Sequence, residues 1–191
     1  MNNNGLSENR RQIHVRRITC IAYERGDGLW DIEGSLIDTK PTGATLIERG
    51  VIPPDEAVHE MTIRLTIDQT LTIRQATAST IHSPYAVCGA INDAYGQLAG
   101  IRISPGFTQT VKRLFKGVAG CSHLTELLPP LATTALQSLW GNSIRIGDDK
   151  FLSENDSRSM ASPVDGCHAL RIDGDIIRKY FPTLYKGVSA P

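Results

Sequence analysis

The sequence predicts an α+β fold, in which an antiparallel sheet of about four strands carries about three helices on one face. Patterns of period two, typical of strands, fill the first half of the chain. Patterns of helical period begin only after residue 84. Because the strands come before the helices instead of alternating with them, the sequence does not favour parallel βαβ units.

The strands are predicted over residues 13–23, 29–39, 58–68 and 71–79. The third strand has the clearest pattern, since Met61, Ile63 and Leu65 alternate with polar residues. A short reversal then leads into the fourth strand, so the two form a hairpin. The glycines and prolines of residues 41–54 predict a loop between the second strand and the third.

The helices are predicted over residues 88–98, 107–116 and 122–140, with a short final helix over 173–180. Pro129 and Pro130 must kink or split the third helix, because each proline removes a backbone donor. The predicted domain organisation is a disordered tail over residues 1–11 and one α+β domain over 12–191, which includes a loop over 146–165 and a C-terminal extension over 166–191.

The composition limits the classes of function. Twenty Lys and Arg balance twenty Asp and Glu among 191 residues, so the chain lacks the basic field of nucleic-acid and anionic-membrane binders. No apolar run is long enough for a membrane helix and no secretory signal is visible, so we expect a cytoplasmic protein. The four cysteines form no Cys-x-x-Cys pair, which argues against a structural zinc site. Neutral charge and the prevalence of two-fold assemblies predict a homodimer.

Two carboxylates in the second strand form the first candidate catalytic or cation-binding site. Asp31 and Glu33 lie on one face of that strand, with Lys40 following it. Such groups serve as general acid and base or bind a cation. The alternative is a charged strand face that only meets water, with Trp30 on the other face as a core anchor.

His59 opens the best-patterned strand in register with Met61 and Ile63. Its imidazole is therefore predicted to point toward the buried face at the open end of that strand. There it either packs as a core residue or lines a pocket, where burial and a carboxylate neighbour tune its pKa.

The segment around Cys121 opens the third helix, where unpaired N–H groups stabilise an anion. His123 and Glu126 are neighbours at i and i+3, and a Glu beside a His can fix its tautomer and raise its basicity. The same pair could ligate a metal with His59 as the third ligand. The alternative is an ordinary helix start with a salt bridge. We predict that His59, His123 and Glu126 converge on one pocket, with Asp31 or Lys40 at its edge.

Five segments together form a recognisable pattern: YERGDGLWDIEGSLIDTK at 23–40, VHEMTIRLTID at 58–68, SPYAVC at 83–88, GCSHLTELLPPLATTALQ at 120–137 and the tail VDGCHALRIDGDIIRKYFP at 164–182. In these segments the chain resembles a bacterial family catalogued as domain of unknown function 2889. The resemblance implies a bacterial cytoplasmic enzyme of aromatic catabolism, a lyase that releases formaldehyde from a hydroxymethyl group of lignin-derived phenolic dimers.

The residues are compatible with that reaction, which needs a base on the hydroxymethyl O–H and an electron acceptor supplied by a para-phenol. The predicted catalytic residues are His59, His123, Glu126, Asp31 and Lys40. The predicted substrate-binding residues are Trp30, Arg64, Tyr85 and Cys121, with Lys40 or Arg64 stabilising a phenolate. No cofactor and no metal are expected, and neither nucleic acid nor membrane is an expected partner.

Two other classes remain open from the sequence. One is a metal-dependent hydrolase with His59, His123, Glu126 and Cys121 as ligands. The other is a non-catalytic binding or sulfur-handling module that uses Cys88 and Cys121.

Overall fold

The structure is a computed structural model that describes residues 10–141 and 164–187, and it confirms the α+β prediction. The strands are β1 Val15–Glu24, β2 Trp30–Thr39, β3 Ala44–Leu46, β4 Gly50–Ile52, β5 Ala57–Ile67 and β6 Ile73–His82. Four of them form one antiparallel sheet in the order β1-β2-β5-β6. The other two, β3 and β4, form a small separate hairpin within the stretch predicted as a loop.

The helical half begins with a 3-10 helix over Ala86–Leu98. The α-helices are α1 Phe107–Leu114, α2 Ser122–Gly141 and α3 Asp175–Tyr180. The first predicted helix thus lies in the expected place but winds more tightly than an α-helix. Gly89 and Gly96 lie inside it, and glycine weakens the preference for regular α-helical geometry.

One face of the sheet carries the core. Inward-facing residues of β2 and β5, such as Leu36 and Leu65, are fully buried against Leu127 and Leu131 of α2. Gly34 lies in the middle of β2, where an added Cβ would come 3.1 Å from Leu131. The absence of a side chain at this position therefore lets α2 pack closely on the sheet.

Helix α2 continues through Pro129 and Pro130 without being split. The two prolines leave the carbonyls one turn earlier without their usual amide donors. Thr133 and Thr134 donate their hydroxyls to the carbonyls of Pro129 and Pro130, at 3.3 and 2.9 Å. The first turn of the unbroken helix lies at the end of the sheet where β2 finishes.

The remaining predictions concern the N-terminal tail, the loop over 146–165 and the absence of a membrane helix. The described part of the predicted N-terminal tail, residues 10–11, is exposed and has no regular structure. Residues 1–9, and nearly all of the predicted loop over 146–165, lie outside the described residues. Among the helices that the structure describes, none is long and apolar enough to cross a membrane.

Candidate functional site

A row of three directly opposed residues crosses the sheet near the end of β2. Arg16 of β1 pairs with Asp38 of β2, and Asp38 pairs with His59 of β5. All three share the sheet face of Leu36 and Met61, because side chains two residues apart on a strand point the same way. The row therefore lies on the face that the helices cover.

Asp38 is the buried centre of this row, with only 1% of its side chain exposed. The guanidinium of Arg16 holds it through two hydrogen bonds, from Nε to Oδ1 at 2.8 Å and from Nη2 to Oδ2 at 2.7 Å. Burial alone would raise the pKa of Asp38, but the hydrogen bonds and charge of Arg16 outweigh it and lower that pKa. Asp38 is therefore a carboxylate at neutral pH.

Three imidazoles surround this carboxylate. His59 Nδ1 lies 3.2 Å from Oδ2 of Asp38, and His123 Nε2 lies 3.5 Å from the same oxygen. His14 Nε2 is 3.3 Å from Oδ1. The rings of His59 and His123 stack with their centroids 3.9 Å apart. The first turn of α2 thus places His123 directly over His59.

The pKa values of both stacked imidazoles are lowered, and burial is the largest cause for each. The second cause for His59 is the charge of His123. The second cause for His123 is the charge of Arg16. The negative charge of Asp38 raises both pKa values but does not cancel these effects. The two rings are consequently neutral at pH 7, which is the form that accepts a proton.

One ring nitrogen of the pair has no hydrogen bond. Nδ1 of His59 is buried and has no hydrogen-bond partner in the described part of the chain, because its 3.2 Å contact with Asp38 is not aligned as a hydrogen bond. Buried polar atoms are normally paired. The contact between Nδ1 of His59 and Oδ2 of Asp38 is therefore electrostatic.

A cavity of about 530 Å³ opens on the other side of the two histidines. Its lining residues are His59, Met61, Pro84, Tyr85, Val87, Cys88, Ala90, Ile91, Val118, Gly120, Cys121, Ser122 and His123. None of these is Lys, Arg, Asp or Glu, so the described wall is apolar apart from its imidazoles, its thiols and the hydroxyls of Tyr85 and Ser122. Such a wall suits an uncharged, largely apolar ligand.

The structure brings four of the predicted site residues together at this cavity, namely His59, His123, Tyr85 and Cys121. Glu126 is a neighbour but not part of the wall, since it is about half exposed and its carboxylate accepts a hydrogen bond from Arg16. Lys40 follows β2 and is not among the cavity-lining residues.

The other predicted residues lie elsewhere. Asp31 is on the opposite sheet face, where its Oδ1 accepts a hydrogen bond from the hydroxyl of Thr66 at 2.6 Å. Arg64 lines a hollow of about 310 Å³ on that same face, with Glu33 opposite it. Trp30 is at the far end of β2 and packs against the core. At about 3.3 Å per residue it is roughly 26 Å along the strand from Asp38.

Asp38, Arg16 and His14 are not among the site residues predicted from the sequence, although the pattern of β2 points to Asp38. Asp38 faces the same side of β2 as the core residues Ile32 and Leu36. A carboxylate at an inward-facing position requires a buried partner. Arg16 gave no such signal, because its partners are distant in the sequence: Asp38 lies on the neighbouring strand and Glu126 in α2.

The described residues also contain one group with the donor atoms for a metal. Atoms of Asp38, His59 and His123 all lie within 4.8 Å of one another. Both carboxylate oxygens of Asp38, however, already accept hydrogen bonds from Arg16. A divalent cation would sit beside that guanidinium and be repelled by it, so the arrangement fits proton transfer better than metal binding.

The chain is similar to a known protein family. Residues 14–137 match the family described as "Protein of unknown function (DUF2889)", which covers the sheet, the 3-10 helix, α1 and most of α2. No curated protein and no solved structure matches the chain significantly.

Proposed function

The chain belongs to the DUF2889 family, and we propose that it is a lyase of bacterial aromatic catabolism that releases formaldehyde from a hydroxymethyl group of lignin-derived phenolic dimers. One observation carries the proposal: two neutral, stacked imidazoles, backed by the buried carboxylate of Asp38, form the polar end of an otherwise apolar cavity. We place this activity in the bacterial cytoplasm.

The reaction requires one base and one electron acceptor. His59 or His123 takes the proton of the hydroxymethyl O–H, and the electron pair of that bond forms the C=O of formaldehyde. The carbon–carbon bond breaks, and its electron pair passes into a quinone methide on the rest of the substrate, which becomes a phenol after protonation. The step balances within the substrate. The para-phenol loses its proton and forms the quinone methide by expelling an ether oxygen, which takes up the proton that the imidazole removed. The electron pair of the broken carbon–carbon bond becomes a C=C bond as the phenol is restored.

Asp38 is a positioning residue in this scheme. Its Oδ2 lies 3.2 and 3.5 Å from one nitrogen of each ring, and it does not line the cavity. A carboxylate behind an imidazole orients the ring and stabilises the imidazolium that forms when the ring accepts a proton. Arg16 keeps Asp38 ionised for that task.

The apolar wall and the size of the cavity support an aromatic substrate. The cavity volume of about 530 Å³ falls within the usual range for small-molecule sites of roughly 300–1,000 Å³. Tyr85, Val87 and Ile91 offer ring-sized apolar contacts. Arg64 and Trp30 have no role in the proposal, because they lie away from this cavity.

The test compares three phenolic dimers with the purified protein. The first carries both the para-hydroxyl and the CH₂OH group, the second has its para-hydroxyl methylated, and the third has CH₃ in place of CH₂OH. We expect stoichiometric formaldehyde from the first dimer only, because the second cannot form a quinone methide and the third has no proton to give. Formaldehyde from the methylated dimer, or none from the first, contradicts the lyase.

A metal-dependent hydrolase is the second candidate, favoured only by the proximity of donor atoms in Asp38, His59 and His123. Metal analysis of the purified protein separates the two. A stoichiometric transition metal, with activity lost to a chelator and restored by the metal, would favour the hydrolase over the lyase.

A further inference from the structure

The proposed lyase assigns no step to Cys121, which lies at the end of a series of polar contacts. Its Sγ is 3.9 Å from Nδ1 of His123, whose other nitrogen, Nε2, is 3.5 Å from the carboxylate of Asp38. A thiol, an imidazole and a buried carboxylate therefore follow one another in the order nucleophile, base and orienting group. The thiol itself lines the apolar cavity.

The backbone around Cys121 is firmly held. Its N–H donates to the hydroxyl of Tyr95 at 3.0 Å, and Tyr95, which is fully buried, also contacts the hydroxyl of Thr125 at 2.7 Å. Gly120 fits directly against Phe115, where an added Cβ would come within 2.5 Å. The backbone of Cys121 is thus fixed immediately before the first turn of the 20-residue helix α2, whose free N–H groups stabilise negative charge.

A second neighbour competes for the thiol proton. The Sδ of Met61 is 3.8 Å from Sγ of Cys121, but a thioether is only a weak acceptor. The imidazole of His123 is neutral at pH 7, since burial lowers its pKa. His123 is therefore the stronger base of the two and the group that can remove the thiol proton.

We propose that Cys121 is a nucleophilic thiol that adds reversibly to the carbonyl carbon of an uncharged aldehyde bound in this cavity. The Sγ–C bond forms as the thiol proton passes to Nδ1 of His123. The π pair of the C=O bond moves to oxygen, which then takes the proton back from His123 to give a hemithioacetal. The addition is balanced without a leaving group, an oxidant or a reductant.

The choice of an aldehyde rests on the proposed function, because formaldehyde release would leave an aldehyde beside this thiol. The nucleophilicity of Cys121 does not rest on the proposed function, because it follows from the contact of Cys121 with His123 and the contact of His123 with Asp38. Thiol reactivity and formaldehyde release are measured separately, so either can fail alone.

Cys88 provides an internal control for thiol reactivity. It lines the same cavity and is also half-buried, and none of the described hydrogen bonds joins its thiol to an imidazole. Site-resolved iodoacetamide labelling of the full chain, read by peptide mass spectrometry, should modify Cys121 at least about tenfold faster than Cys88 at pH 7. Equal rates at the two cysteines would overturn the proposal.

Two variants assign the cause of the faster labelling. His123→Gln should remove the advantage of Cys121, whereas Met61→Leu, which conserves core volume but removes the other sulfur neighbour, should keep it. Unfolding curves of both variants show whether each is folded when labelled. If His123→Gln is folded and Cys121 still reacts fast, His123 is not the base and the proposal fails.

Benzaldehyde and benzyl alcohol test the aldehyde step, because they match in shape and differ in the electrophilic carbon. Benzaldehyde should slow the labelling of Cys121, and dialysis should restore the rate. Benzyl alcohol at the same concentration should protect far less. Equal protection by both compounds would mean that the cavity only binds apolar rings, and that outcome overturns covalent addition.

Discussion

At the scale of single residues, the site depends on a carboxylate that is kept charged inside the protein. Asp38 is buried and both of its oxygens are bound by Arg16. Removing one partner of such a pair leaves the other without compensation, which costs more than the pair contributes when intact. The two neutral imidazoles beside it are the groups whose protonation the environment opposes.

Replacing Asp38 tests the pair with Arg16. Asp38→Asn keeps the shape but leaves the guanidinium facing an amide, so we expect a loss of about 3 kcal/mol in the free energy of unfolding, measured in urea. Glu60→Gln is the control, since that carboxylate is partly exposed and contacts the more exposed His82. A loss of similar size in both variants would show that Asp38 has no special role.

The pH dependence of stability follows from the lowered pKa of His123. A folded-state pKa below the unfolded value means that the unfolded chain binds more protons, so stability must fall as pH drops through the unfolded value of about 6.5 and level off below the folded one. We therefore expect wild-type protein to lose more stability between pH 7.5 and 5 than His123→Gln does. Urea titrations at both pH values give the difference, and equal losses would contradict the lowered pKa.

The activity of a His123 variant tests its proposed role as a base. His123→Ala should lower turnover in the formaldehyde assay by about a hundredfold or more, the usual scale for a general acid or base. Its melting temperature should change little, because the ring lines a cavity and does not pack in the core. The prediction fails if the Ala variant unfolds while His123→Gln keeps full activity, since His123 would then be structural.

At the scale of secondary structure, strand periodicity predicted the face of His59, and the helix start predicted the location of His123. Both predictions used local rules, namely alternation in a strand and the position of a helix N-terminus. The hairpin of β3 and β4 was missed, because three-residue strands between glycines and prolines carry no periodic pattern. The contact of Glu126 with Arg16 was missed because it joins α2 to the edge strand β1, and no local pattern encodes it.

The junction before α2 can be tested with two glycines. Gly120→Ala places a Cβ 2.5 Å from that of Phe115 and 2.7 Å from its carbonyl oxygen, so the start of α2 must shift. We expect a loss of about 2 kcal/mol or more, together with weaker turnover, because His123 moves with the helix. Gly96→Ala, in the 3-10 helix, meets nothing within 4 Å and should change neither quantity by much. Matching melting temperatures for the two variants would contradict the tight packing at Gly120.

At the scale of the whole molecule, helices cover one face of the sheet, and the described residues leave the other face open. That open face is not purely polar, since Ile21 and Tyr23 of the edge strand β1 are each almost half exposed on it. Next to them are Glu33 and Arg64, directly opposite each other on β2 and β5. Apolar residues flanked by charges of both signs can pair with a copy of themselves across a two-fold axis.

We propose that the chain forms a homodimer through this open face. Neutral net charge does little to oppose self-association, so light scattering at micromolar concentration should give about twice the 20.8 kDa of one chain. Ile21→Lys should shift the mass toward the monomer, because it buries an unpaired charge in the interface. Ile47→Lys is the matched control, since Ile47 is 90% exposed outside the four-stranded sheet. A monomeric wild-type protein would rule out the dimer, and a dimer unaffected by Ile21→Lys would place the interface on another surface.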